Sequence, residues 1–158
     1  MKRWTLNVLR ISVTLISIFV LLLCVYWLPK QANYFENIYP EYSHLNRPLI
    51  VGIYITGIPF FIAVYSVFKL LKLIEIDVAF SLDSIRYLEY IVLCSIGEII
   101  LYFLGMIYLL LNNALHPGFL IMGLLIIFIA FLIAVFVTIL KELLLKAVEM
   151  KKENELTI

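Results

Sequence analysis

Four long apolar runs dominate the pattern of hydrophobic and polar positions along the chain. They cover residues 8–28, 49–68, 88–111 and 119–140. Each approaches or exceeds the roughly 18–20 residues that a helix needs to cross a hydrocarbon core about 30 Å thick. The pattern predicts an all-α membrane protein, with residues 1–158 forming a single membrane domain built as a bundle of four transmembrane helices.

The polar segments between the spans differ strongly in positive charge. If the N-terminus lies in the cytoplasm, ten of the twelve Lys and Arg residues are cytoplasmic, and Lys30 and Arg47 are the two outside. Positive residues are retained on the cytoplasmic side of a membrane. We therefore predict cytoplasmic termini, an outer loop at 29–48, a cytoplasmic elbow at 69–87 and a cytoplasmic C-terminal helix at 141–158.

Local signals define the ends of the spans. Ser81 is placed to cap the third span, with Asp83 in its first turn, where negative charge is favoured. Pro117 and Gly118 break the chain after the third span, which predicts a tight hairpin between spans three and four. No small-x-small cleavage site follows Leu28, so we expect span one to remain in the mature protein.

Composition supports the membrane assignment and narrows the chemistry. The chain is 65% hydrophobic and 15% charged, with a mean hydropathy of +1.09, whereas a soluble domain is about a quarter charged. Its basic residues are scattered, which argues against direct nucleic-acid binding. With two histidines, two cysteines inside spans and no phosphate-binding loop, the sequence predicts no catalytic residue, no cofactor and no metal.

Small residues recur at helical spacing in two spans and predict packing faces, because helices in lipid associate where backbones approach closely. One face lies on span two and the other on span four, and homodimerisation is the alternative use of each. The span-two face comprises Gly52, Thr56, Pro59, Ala63 and Ser66. The span-four face comprises Ala130, Ala134 and Thr138.

Glu98 is an acidic residue deep inside span three. A charged side chain at mid-bilayer costs about 2.5–3.5 kcal/mol on insertion scales, so we expect a neutral carboxylic acid with a hydrogen-bond partner. Pro59 lies at similar depth in span two and leaves the carbonyl of Ile55 without its helical donor. The Ile55 carbonyl and the Thr56 hydroxyl are the predicted partners, and a proton or cation relay is the functional alternative.

The helix after span four continues past the membrane with paired charges, since Glu142 and Lys146 lie four residues apart. It is a solvated flank or a docking surface for a cytoplasmic protein. The residues predicted to meet such a partner are Lys146, Glu149, Glu153, Asn154 and Leu156.

Several stretches resemble one family of small bacterial membrane proteins. They are residues 55–81, the tripeptides Trp27-Leu28-Pro29 and Tyr39-Pro40-Glu41, and the ending Glu-Asn-Glu-Leu-Thr-Ile. Together they are similar to the YoaS-like proteins, domain of unknown function 2975 (DUF2975). The resemblance implies four spans and, because members are often encoded beside a small helix-turn-helix regulator, a membrane protein that binds a transcription regulator in the cytoplasm. The alternatives are immunity to an antimicrobial peptide or bacteriocin and a small transporter that uses Glu98.

Overall fold

Four long helices make up the fold. The computed structural model describes residues 3–38 and 40–156, without the side chains at 3, 32, 35, 36, 42 and 154–156. In chain order the elements are α1 (Arg3–Leu22), a π-helical segment (Leu23–Trp27), α2 (Leu28–Ile38), a 3-10 turn (Pro40–Tyr42), α3 (Ser43–Glu75), α4 (Leu82–Leu111) and α5 (Pro117–Leu156). The described residues include no strand. The first helix, α1, runs through the π-helical segment into α2, so the described residues contain four long helices. Each has a stretch apolar enough to cross a membrane. This confirms the predicted all-α membrane fold.

The two tight turns end α3 and α4 in the same way. Asp77 and Asn113 adopt left-handed backbone conformations, with φ of 58° and 54°, and Asp and Asn tolerate that region better than most residues. The next amide in each turn then closes a bond back to the helix, from Val78 to the Leu73 carbonyl at 2.9 Å and from Ala114 to the Leu109 carbonyl at 3.0 Å. This i→i−5 bond satisfies a carbonyl that the helix end would leave free.

The predicted start of α4 is confirmed. The Ser81 hydroxyl accepts a hydrogen bond from the Ser84 amide at 3.3 Å, and Asp83 lies in the first turn. The predicted hairpin is present as well, because only residues 112–116 separate α4 from α5.

The segment 29–48, predicted as an outer loop, is mostly helical. The first helix continues through α2 to Ile38, and α3 begins at Ser43. Pro29 does not end the helix because the preceding turn widens: the Leu28 amide donates to the Leu23 carbonyl, five residues back. A π-helical turn of this kind accommodates a residue that the ordinary helical ladder cannot.

Contacts between helices follow chain order. Among the described residues, extensive contacts join α3 to α4 and α4 to α5, whereas α1 and α2 contact α3 much less. Apolar clusters lie at the two ends of this arrangement. One comprises Leu45, Leu109 and Ala114, and the other Leu88, Ile91 and Val137. The helix α4 therefore has a helix on two sides, whereas α1 and α5 leave most of their apolar surface to lipid.

Candidate functional site

Glu98 lies about midway along α4, where α3 and α4 come close together. A Cβ placed on its neighbour Gly97 would lie 4.0 Å from the Cβ of Pro59 on α3. The depth inferred for Pro59 and Glu98 from the sequence therefore agrees with the structure. The two helices are therefore in van der Waals contact beside the carboxyl group.

The carboxyl of Glu98 is incompletely satisfied. Its Oε2 atom is buried and has no hydrogen-bond partner among the described residues. The contribution from α3 is the backbone N–H of Phe60, which faces the carboxyl group. Oε2 therefore makes no hydrogen bond to either predicted partner, the Ile55 carbonyl or the Thr56 hydroxyl.

Two further polar side chains surround this carboxyl. Tyr102 lies one turn beyond Glu98 and interacts with both Glu98 and Thr56, while Cys94 lies one turn before Glu98 and interacts with it. The Thr56 hydroxyl also donates to the Ile53 carbonyl at 2.8 Å. We call Glu98, Tyr102, Cys94 and Thr56 the carboxyl cluster. Cys94 and Tyr102 were not predicted, although their four-residue spacing from Glu98 places all three side chains on one helix face.

The carboxyl cluster combines an acid, a phenol, a thiol and a hydroxyl within about two turns of α4, where it meets α3. The unpartnered Oε2 can take up a proton or accept a hydrogen bond from a group that enters between the helices. An acid inside a span is a functional candidate by default, since its insertion is unfavourable.

The small-residue face of span two is packed along only part of its length. Ser66 is 1% exposed and its hydroxyl donates to the Ile62 carbonyl at 3.0 Å, and Ala63 is half-buried. Gly52 is exposed, and a Cβ added there would meet no atom within 4 Å. The packed line of α3 passes through Leu49 and Ile53, both half-buried, so Gly52 lies beside it.

The small-residue face of span four is packed most tightly at Ala130, which is 6% exposed. Ala134 and Thr138 are half-buried and line a groove of about 350 Å³ between α4 and α5. The Thr138 hydroxyl donates to the Ala134 carbonyl at 2.7 Å.

The π-helical segment creates a further polar contact between the first helix and α3. In a π-helix each carbonyl accepts from the amide five residues later, so the Cys24 carbonyl would accept from residue 29. Residue 29 is proline, which has no N–H. The Tyr54 hydroxyl donates to that carbonyl instead, at 3.2 Å. Cys24 and Cys94 are both free thiols.

Ion pairs gather at one end of the fold, which we call the charged end. Arg10 of α1 bonds Glu75 of α3 at 2.7 Å, and Lys141 of α5 lies 3.8 Å from Glu89 of α4. The start of α1, the end of α3, the start of α4 and residue 141 of α5 therefore lie at the same end. This is the arrangement expected of four consecutive antiparallel spans, although the Arg10–Glu75 pair was not predicted because 65 residues separate its members.

The predicted docking residues lie beyond the charged end, in the part of α5 from 141 to 156, which we call the α5 extension. Lys146, Glu149 and Glu153 are exposed. The backbone is helical as far as Leu156, while the side chains of Asn154 and Leu156 lie outside the described residues. Within the described part of the chain, no group of three or more His, Cys, Asp or Glu residues could hold a metal ion.

Comparisons with known proteins match nearly the whole chain. A family model described as "Protein of unknown function (DUF2975)" matches residues 30–158. The chain is 39% identical over 160 residues to "Uncharacterized membrane protein YoaS" of Bacillus subtilis (strain 168), a match that covers 100% of both chains. No solved structure shows a significant match. These matches confirm the resemblance seen in the sequence: the chain belongs to the DUF2975 family of membrane proteins of unknown function.

Proposed function

We propose that this protein is a non-enzymatic regulator in the bacterial cytoplasmic membrane, and that its α5 extension binds a small helix-turn-helix transcription regulator in the cytoplasm. The observation that carries the proposal is the length of α5. Its 40 residues extend about 60 Å at about 1.5 Å per residue, about twice the 30 Å thickness of a hydrocarbon core. A helix that long reaches well past the membrane.

The α5 extension has one side held by the membrane domain. Leu144 packs against the cluster of Leu88, Ile91 and Val137. The helix α4 begins at Leu82, seven residues before Glu89, the partner of Lys141. Because the two helices are antiparallel, α4 runs beside α5 only to about residue 148. The last part of α5 therefore projects beyond the end of α4.

The other side of the α5 extension presents apolar side chains among charges. Leu143 is 60% exposed and Met150 is 63% exposed, and both are on one face with Ala147 at steps of four and three. Lys146 and Glu149 flank this face. Large apolar side chains outside the membrane are a feature of surfaces that bind proteins, and an amphipathic helix laid into a groove is one such binding mode.

The identity of the partner rests on the family resemblance, and a co-purification experiment tests it. The tagged protein is extracted from bacterial membranes in mild detergent, and bound proteins are identified by mass spectrometry. We expect a helix-turn-helix regulator with the intact chain, and its loss on deletion of residues 146–158 or with Met150→Glu. Lys151→Glu, on a different face of the same turn, is the matched control and should retain the partner. Absence of such a regulator, or its retention after the deletion, would overturn the proposal.

A small transporter is the second candidate, favoured by the buried and unpartnered Oε2 of Glu98. In this case Glu98 would exchange a proton or cation during transport. Proteoliposomes containing the wild-type protein should then show proton or cation flux that Glu98→Gln abolishes. Equal flux with wild type, variant and empty vesicles would remove this candidate.

A further inference from the structure

A groove runs along the lipid-facing side of α3, next to the π-helical segment. It has a volume of about 500 Å³, within the range of about 300–1,000 Å³ that is typical of ligand sites. Cys24 of the π-helical segment forms part of one wall. The residues of α3 that line it are Tyr54, Gly57, Ile58, Phe61, Ile62 and Tyr65.

The lining residues of α3 form one straight stripe. Their spacing of three and four residues places them on a single helix face. From Tyr54 to Tyr65 the stripe is about 16 Å long at about 1.5 Å per residue. Gly57 provides the hollow, since a Cβ added there would meet no protein atom within 4 Å. The groove is therefore apolar and elongated along the membrane normal, as a lipid acyl chain is.

Positive charge stands at one end of this stripe. The Lys69 amino group lies 5.2 Å from the centre of the Tyr65 ring, so the groove ends at a cation. Lys72 continues the same face less than one turn further along and is exposed. The nearby Arg10 is already paired with Glu75 at 2.7 Å. The cations therefore lie at the charged end of the fold, where the headgroups of one leaflet begin.

We propose that this groove binds one anionic phospholipid, with an acyl chain along α3 and the headgroup phosphate at Lys69. The apolar stripe and the cation at its end match the two parts of such a molecule, in the order in which a bilayer presents them. Basic residues at the ends of spans attract anionic headgroups, and pockets between spans bind them. Tyr65 places its ring at the level where the two parts meet, as aromatic residues at membrane interfaces do. The site is independent of the partner proposed for the α5 extension.

Native mass spectrometry of the purified chain in mild detergent tests the proposal by titration with dioleoylphosphatidylglycerol and, separately, dioleoylphosphatidylcholine. We expect one phosphatidylglycerol molecule to bind more tightly than phosphatidylcholine. Lys69→Gln should weaken phosphatidylglycerol binding about fivefold, the factor expected for one basic residue at an anionic surface. The same variant should leave the affinity for phosphatidylcholine unchanged. Equal affinity for the two lipids, or an unchanged phosphatidylglycerol affinity in Lys69→Gln, would overturn the assignment.

Variants that fill the groove distinguish lipid binding at this site from general adsorption of lipid to the protein. Gly57→Leu should prevent binding of the first phosphatidylglycerol, whereas Gly52→Leu should not, because Gly52 is equally open but lies outside the groove. If Gly57→Leu does not fold, Ile62→Trp fills the same groove from an exposed position. Binding that persists in a folded groove-filling variant would contradict the proposal, as would equal loss in Gly52→Leu.

Discussion

Replacing Glu98 with methionine should make the protein more stable, because the buried carboxyl is incompletely satisfied. Leaving a buried polar atom such as Oε2 without a partner costs about 1–3 kcal/mol. The interaction of the carboxyl with the Phe60 N–H stabilises the folded protein by about 0.5–1.5 kcal/mol. Once the helices separate in detergent, the carboxyl reaches water, so the cost falls on the folded state. The net gain expected for Glu98→Met is about 1 kcal/mol.

This expectation reverses the sign that the sequence alone suggested. A carboxyl bonded to the Ile55 carbonyl would stabilise the fold, and an apolar replacement would then lower stability. The assay is unfolding in mixed micelles with increasing sodium dodecyl sulfate, followed by tryptophan fluorescence. Ile100→Met, an exposed substitution on the same helix, is the control and should change the midpoint little.

A clear loss of stability in Glu98→Met, with the control unchanged, would refute the reasoning. It would mean that the carboxyl makes a stabilising bond in the membrane and that its retention needs no functional explanation. A gain in stability would instead place Glu98 among residues kept at the expense of stability, as is common at functional sites.

Two other predictions test particular contacts. Tyr54→Phe should lower the free energy of unfolding by about 0.5–1.5 kcal/mol because it removes the donor to the free carbonyl of the π-helical segment. Pro29→Ala restores a backbone N–H, so in that background Tyr54→Phe should lower the free energy of unfolding by less. Equal decreases in the two backgrounds of this double-mutant cycle would contradict this explanation of the π turn. Ala130→Leu should cost about 1–3 kcal/mol by overpacking the contact of α5 with α4, whereas Ala134→Leu, in the groove, should cost less. The unfolding midpoints of the two variants measure this difference. A lower midpoint for Ala134→Leu than for Ala130→Leu would show that the tightly packed part of the α4–α5 interface is not at Ala130.

The sequence was most informative where the determinant is local. The cap at Ser81 and the turn before Pro117 follow from neighbouring residues, and the four spans follow from the length of apolar runs. Pro29 was misleading because a proline usually ends a helix, whereas here one widened turn carries the helix on to Ile38. The replacement donor at that turn is Tyr54, 25 residues along the chain from Pro29, which reading the neighbouring residues could not identify.

The surroundings of Glu98 show the limit of such predictions. Its depth and the level of Pro59 were correctly inferred from counting residues along straight helices. The Phe60 N–H and the side chains of Tyr102 and Cys94 were not predicted as its neighbours. The groups that meet between two packed helices are set by contacts such as Gly97 against Pro59, and these depend on both sequences together.

The proposal that the α5 extension binds a cytoplasmic protein requires that this extension lie in the cytoplasm. Cysteine labelling in intact bacterial cells tests this most directly, with Cys24 and Cys94 replaced by alanine and one new cysteine introduced as Lys146→Cys or Arg47→Cys. A membrane-impermeant maleimide should label position 47 in intact cells and position 146 only after the membrane is permeabilised. Labelling of position 146 in intact cells would place the α5 extension outside and contradict the proposed function.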